Sequence, residues 1–456
     1  MTELTRHHSE PLRTVDDVAS IVARAAWADS SPSRPDRIGV EVEAFPIVAT
    51  HGRPGRRLLL EGVDGTLDLL DAAARPGSPL GRRIERTGSS RYPLRGGGLI
   101  SFEPGGQIEH STRPHDTVRS LAAEMATGAA ALGDALRPAD ALLVPLGVDP
   151  WHRGVDVPQQ LRNRRYPAMD AFFSRRGAAG VEMMRNTCAF QVNLDAGVGR
   201  LRAERWRSAN AISPLLTALF STSPRSWSHN RRATVWQRLD PTRTGFPRIT
   251  SDPIEDVTRN VLRADVLLLP HSGGVVAGRP GWTFADWLRD GHPAAGRPTA
   301  ADLERHLTTI FTEVRPRGGV LELRSVDALP VQWQLVPVVL AAGALYDDEA
   351  RREILDSFTA DDPETSWRKA ARHGLDSAEI LYQTRRFVRI ALDGAGRLGA
   401  MLDRQTLDVA GRFIETYPVR GRTPADEVRK DDHRATLAWA AEGDIEPSPT
   451  QRRGAA

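Results

Sequence analysis

Residues 96–113 read GGGLISFEPGGQIEHSTR. The Pro104-Gly105-Gly106 break separates two short runs of strand-forming residues, the signature of a turn between antiparallel strands. Glu103 precedes the turn, so a hairpin brings it near Gln107 and Glu109 across the ladder. Residues two apart on a strand share a face, which puts Gln107 and Glu109 on the same side. An antiparallel sheet with an acidic face is therefore the organising expectation.

The same pattern recurs on either side of this hairpin. IGVEVEAFPIV (38–48) sets Glu41 and Glu43 on one face, and TCAFQVNLDA (187–196) does so with Gln191, Asn193 and Asp195. GGVLELRSVDALP (318–330) pairs Glu322 with Arg324 in the same way. ALLVPLGVDP reads as a further strand. Apolar spacing of 3 and 4 predicts helices over 14–28 (capped by Thr14), 65–73, 115–138, 163–178, around 200–222 and through 303–311, with WTFADWLRD a short one. From 332 to about 420 the pattern is helical throughout. Residues 240–281 read as a Pro/Gly-rich region with one apolar run, VLLLP. The expected fold is α+β, helices packed on a largely antiparallel sheet. Residues 1–34 form an N-terminal helix and linker, 35–430 a single domain and 431–456 a partly disordered tail.

Composition narrows the function. Hydrophobic residues make up 40% of the 456, enough for a sizeable core, and no run of about 18 apolar residues suggests a membrane span. The first residues lack a secretory pattern, so a soluble cytoplasmic protein is expected. A net charge of +3 with interspersed acids argues against a nucleic-acid partner. The single cysteine, Cys188, excludes an internal disulfide and any CxxC motif, and its apolar setting reads as core. Of 61 Lys and Arg residues only Lys369 and Lys430 are lysines, which excludes a P-loop. Phosphate handling in the first 368 residues falls to arginine, backbone N–H or metal. Neither the 96–98 glycine run nor the scattered histidines carry a phosphate or zinc spacing.

A solvated polar face explains any one alternating strand. Several strands whose polar positions are Glu, Gln and Asn, poor β-formers, point elsewhere. Such a face repels itself unless cations sit on it, and Mg²⁺ takes oxygen ligands of this kind while bridging to substrate phosphates. Arg324 shares the face of Glu322; Arg231 and Arg232 follow the polar stretch SWSHN, and Arg185 precedes TCAFQVNLD. Guanidinium groups grip carboxylate or phosphate bidentately, and phosphoryl transfer needs mainly such positioning and neutralisation. A metal–nucleotide site follows from the pattern.

Taken in order, IGVEVEAF, ISFEPGGQIE, RYPAMDAFF, MMRNTCAFQVNLD, TFADWL and HLTTIF…VRPRGGVLELRSVDALP resemble the glutamate–cysteine ligase family of plants and bacteria, nearest its actinobacterial ergothioneine branch. The resemblance spans about residues 35–430. It implies a glutamine-synthetase-like core, a curved antiparallel sheet forming a funnel with helices outside. It also implies ATP, Mg²⁺, glutamate and cysteine, joined through a γ-glutamyl phosphate. On matching positions Glu41, Glu43, Glu103, Glu109 and Glu322 become metal ligands, and Arg324 and Glu103 the catalytic groups. Gln191, Asn193, Arg324, Arg231 and Arg232 become nucleotide-binding. The chain departs from the family pattern at Ile108–Thr112 and Arg185–Cys188, both expected on the acceptor side. A carboxylate–amine ligase with another acceptor, or a silent nucleotide-binding relative, are the alternatives.

Overall fold

The computed structural model describes residues 10–28, 36–86, 88–272, 274–358, 362–429 and 431–442. One strand organises the sheet. β1 (Ile38–Thr50) pairs antiparallel with β8 (Ala189–Asp195) on one side and with β6 (Ile108–Ser111) on the other. Beyond β8 lie β12 (Val320–Asp327) and then β11 (Val314–Arg317). Beyond β6 come β5 (Leu99–Phe102), β4 (Ser89–Pro93) and β3 (Ile84–Arg86). The far half of β1 turns to other partners, β2 (Arg53–Arg57) and β7 (Ala141–Val144). Every pairing is antiparallel and the path ends at β11 and β3, so the sheet is open; the α+β expectation holds.

Period-two alternation divides the two faces. Val40, Phe190, Val192, Leu194, Leu321 and Leu323 are buried together beneath helices 199–219 and 335–346. Burying side chains of this size contributes about 1.5–3 kcal/mol each. Helix 335–346 is apolar on all sides, and Val336 through Tyr346 are buried, as befits a helix wrapped by others. The opposite face of the same strands carries the acids. A β-bulge between Leu323 and Val326 breaks the β12–β8 register beside Arg324.

Three stretches gain detail in the structure. The N-terminal helix, Val15–Ala26, buries Val18, Ile21, Val22 and Ala26 in the main core, and Trp27 meets Trp206 edge-on at 5.5 Å. The expected helix is thus part of the main core; the linker at 29–35 lies outside the described residues. Residues 433–442, assigned to the tail, form a helix whose Leu437 and Ala440 pack on Phe45, Ile47 and Val144. The disorder expected further on falls on 443–456, also outside the described residues. Within 240–281 the chain forms helices Pro241–Thr244 and Pro253–Arg263 and a hairpin, β9 (Leu268–His271) with β10 (Gly274–Ala277). Pro241 and Pro253 sit at first helical positions behind the capping side chains of Asp240 and Asp252. There proline starts a helix instead of breaking one.

Candidate active site

The turn between β5 and β6 is tightly seated. A Cβ on Gly105 would lie 2.4 Å from the Arg185 carbonyl oxygen, and Gly106 has φ +82°. Gln107 accepts from the Gly105 N–H at 2.9 Å and donates to the Thr187 carbonyl at 3.0 Å. The Pro-Gly-Gly turn is thus fastened to the segment that leads into β8, and Glu103 is held at its mouth.

Register then assembles the acidic face. Glu43 stands opposite Glu109, and Glu41 opposite both Gln191 and Ser111. These residues, with Glu103, Arg315 and Arg324, line a cavity of about 700 Å³. Glu109 accepts from Ser101 Oγ at 2.9 Å and Ser111 Oγ at 2.8 Å. Glu43 accepts from the Ala189 N–H at 2.8 Å and from Gln191 Nε2 at 3.1 Å. Burial in the cleft, with the charges of Glu322 and Glu109, pushes Glu41 up to about 8. Burial and Glu109 push Glu43 up to about 7. Glu103 is raised well above the ordinary range by burial and by Glu109 and Glu43. Arg324 pulls each of them back, but not enough to offset burial and the neighbouring acids.

The other end of the cavity is basic. Arg315 Nη2 donates to Glu322 Oε2 at 2.7 Å, and Arg324 Nη1 pairs with Glu322 Oε1 while donating to Gln191 Oε1 at 2.6 Å. Burial alone would raise Glu322, but Arg315 and Arg324 hold it down at about 2. Arg324 also lies over Trp236 and Phe311, 5.5 and 6.0 Å from the ring centroids. Arg165, held by Thr308 through bonds of 2.6 and 2.9 Å, faces the same cavity, as do Arg91 and Arg317.

Glu41, Glu43, Glu103, Glu109, Gln191 and Arg324 therefore converge as expected. Four assignments come out differently. Glu322 is 1% exposed with both oxygens in ion pairs, so it serves as the anchor of two arginines, and a cation there must displace one of them. Asn193 pairs in register with Glu322 and Gly39 but stands outside the cavity lining. Arg232 is buried away from the cavity, donating to Asp327 Oδ1 and to the Val326 carbonyl, both at 2.9 Å, where it secures the end of β12. Arg231 pairs with Glu182 at 2.9 Å and lines a different cavity. Arg185 is likewise structural, bound to Asp170 at 2.7 Å. Cys188 is buried, as expected.

Arg315, Arg165 and Arg91 were missed. For Arg315 a signal existed: VRPRGGVLE turns back through Gly318 and Gly319, both at positive φ, and that hairpin sets Arg315 opposite Glu322. Among the described residues no three His, Cys, Asp or Glu side chains form a ready-made metal cage. The oxygen-only donors at the acid end nonetheless fit Mg²⁺, which uses one or two carboxylates with waters and substrate phosphates. Among the described residues no helix is long and apolar enough to cross a membrane.

Comparison with known proteins gives a consistent picture. The glutamate–cysteine ligase family 2 model matches residues 37–448. The glutamate–cysteine ligase EgtA of Mycolicibacterium smegmatis is 36% identical over 352 residues, covering 74% of this chain and 78% of its own. The chloroplastic glutamate–cysteine ligase of Arabidopsis thaliana is 32% identical over 383 residues, 80% of this chain and 68% of the relative. The crystal structure of glutamate–cysteine ligase from Francisella tularensis in complex with AMP superposes with a TM-score of 0.51 at 12% identity. It covers 91% of this chain and 90% of that one, which shows a shared glutamine-synthetase-like fold. With nearly the whole sheet and its helices inside the matched region, the chain belongs to glutamate–cysteine ligase family 2.

Proposed function

We propose that the 700 Å³ cavity joins glutamate to cysteine at the expense of ATP, and that its acid and arginine ends divide the work. An oxygen of the glutamate γ-carboxylate attacks the γ-phosphorus of ATP, the bond to ADP breaks, and a γ-glutamyl phosphate results. The cysteine amine then attacks the acyl carbon, phosphate leaves, and the nitrogen sheds a proton. Arg324, oriented by Glu322 and Gln191 and walled by Trp236 and Phe311, is placed to neutralise charge on the transferring phosphoryl group. Arg315 and Arg165 are available to bind phosphate or the glutamate α-carboxylate. Glu103, with its raised proton affinity, is suited to take the amine proton. Glu41, Glu43 and Glu109 would hold Mg²⁺, which when bound supplies positive charge against the ATP phosphates.

The observation that carries this reading is the junction at Gln191. Its amide joins Glu43 of the acid end to Arg324 of the basic end, so the carboxyls that would hold a metal and the arginine that would meet phosphate are fixed side by side. The product is of the kind consumed in making ergothioneine or a related thiol, and the setting is cytoplasmic. ADP release with ATP, Mg²⁺ and glutamate, measured against cysteine and a panel of other amines, tests the proposal. Cysteine-dependent turnover is expected; turnover with another amine alone would reassign the acceptor.

A further inference from the structure

A second, smaller cavity of about 190 Å³ lies where helix 231–239 begins. Thr222, Ser223, Arg225, Arg231, Arg429 and His433 line it, and among the described residues no acidic side chain does. Arg225 and Arg429 are exposed, and among the described residues neither enters an ion pair. Arg231 is the most telling member. Its Nη2 donates to Glu182 at 2.9 Å, but its Nη1 is buried with no hydrogen-bond partner. Other arginines of the chain also bury an N–H without an acceptor, so this one counts because it belongs to a cavity that two further arginines line. Burial lowers the proton affinity of Arg231, and the like charge of Arg225 across the cavity lowers it further against the pull of Glu182.

The hydroxyls here are already committed. Thr222 Oγ1 donates to the Ala328 carbonyl at 2.9 Å, and Ser223 Oγ donates to Asp327 at 2.6 Å. Recognition is thus left to the cations. We propose that this cavity binds a small tetrahedral oxyanion, as free phosphate or as the phosphate of a phosphomonoester. The volume is below that of drug-sized ligand pockets, so it accepts the anion and leaves any attached group outside. Guanidinium forks from Arg225, Arg231 and Arg429 suit three-sided capture of such an ion. The next residue, Arg232, is bonded to the end of β12, the strand that carries Arg324.

Calorimetric titration of the full chain with sodium phosphate and with glycerol 3-phosphate, at ionic strength matched with chloride, tests the site without using turnover. Wild type should bind one anion saturably, and Arg225→Ala/Arg429→Ala should weaken binding by ~10-fold or more, since two charge-assisted partners are lost. Both residues are exposed and, among the described residues, enter no ion pair, so circular dichroism should show an unchanged fold. Arg324→Ala should retain the binding, because it removes an arginine of the other cavity; where that variant unfolds, the exposed Arg317→Ala takes its place. Tighter binding of the ester names a phosphorylated small molecule as the ligand, and equal binding names free phosphate. Absence of saturable binding across the millimolar range, or loss with Arg324→Ala but not with the double variant, overturns the proposal.

Discussion

Glu322 and Glu41 share a sheet face and are separated only by β8, yet they lie at opposite limits of carboxylate behaviour. Arg315 and Arg324 hold Glu322 down at about 2, while burial and neighbouring acids lift Glu41 to about 8. Residue type and enclosure are nearly the same, so partners decide the difference. One end of the cavity has its countercharge built into the protein. The other awaits it from solution.

The sharpest way to break that contrast is at its basic end. Glu322→Ala leaves two buried arginines facing one another, and breaking a buried pair costs about 3–5 kcal/mol. Chemical denaturation should show that loss together with abolished turnover; unchanged stability would mean Arg315 and Arg324 are solvated. Glu41→Gln replaces a carboxyl that burial and neighbouring acids already hold largely protonated near neutral pH, so stability should hold or rise slightly. ATP-dependent turnover should fall by ~100-fold or more, as expected when an electrostatic contact to the transition state goes. Normal turnover would remove Glu41 from the metal set.

The acid end also predicts a pH dependence with a definite sign. Glu41 and Glu43 ionise at about 4.5 when the chain is unfolded but at about 8 and 7 when folded. The folded state then binds more protons between those values, so these groups favour folding below pH 4.5 and lose that contribution as pH rises toward 8. Mg²⁺ competes for the same oxygens, so the rise in Tm that it causes should grow between pH 6 and 8.5. A metal-induced shift that is flat over this range would place the ion elsewhere. The smallest effect belongs to Ser111→Ala, which deletes one bond to Glu109 and should cost about 1 kcal/mol with turnover lowered only modestly.

Local pattern carried much of this arrangement. Glu41, Glu43, Gln191 and Arg324 are legible because strand alternation fixes which side chains share a face, and the Pro-Gly-Gly turn places Glu103. Arg315 is legible only once the Gly318-Gly319 turn is read as a hairpin, because the pairing of β11 with β12 is what sets it opposite Glu322. Arg231 and Arg232 show the limit from the other side. Adjacent residues on a helix point about 100° apart, so one motif sends its two cations to different places. The helices within 240–281 were hidden by prolines whose meaning depends on the aspartate just before them.

The helix at 433–442 has a consequence for how the molecule is made. Leu437 and Ala440 cover Phe45 and Ile47, so β1 is completed by a segment that is synthesised long after it. Until then an apolar flank of β1 stays open to water, and long-range closure of this kind is slow and prone to aggregation. Synthesis that stops short of residue 433 should yield chains that hold most of the sheet yet depend on chaperones to stay in solution.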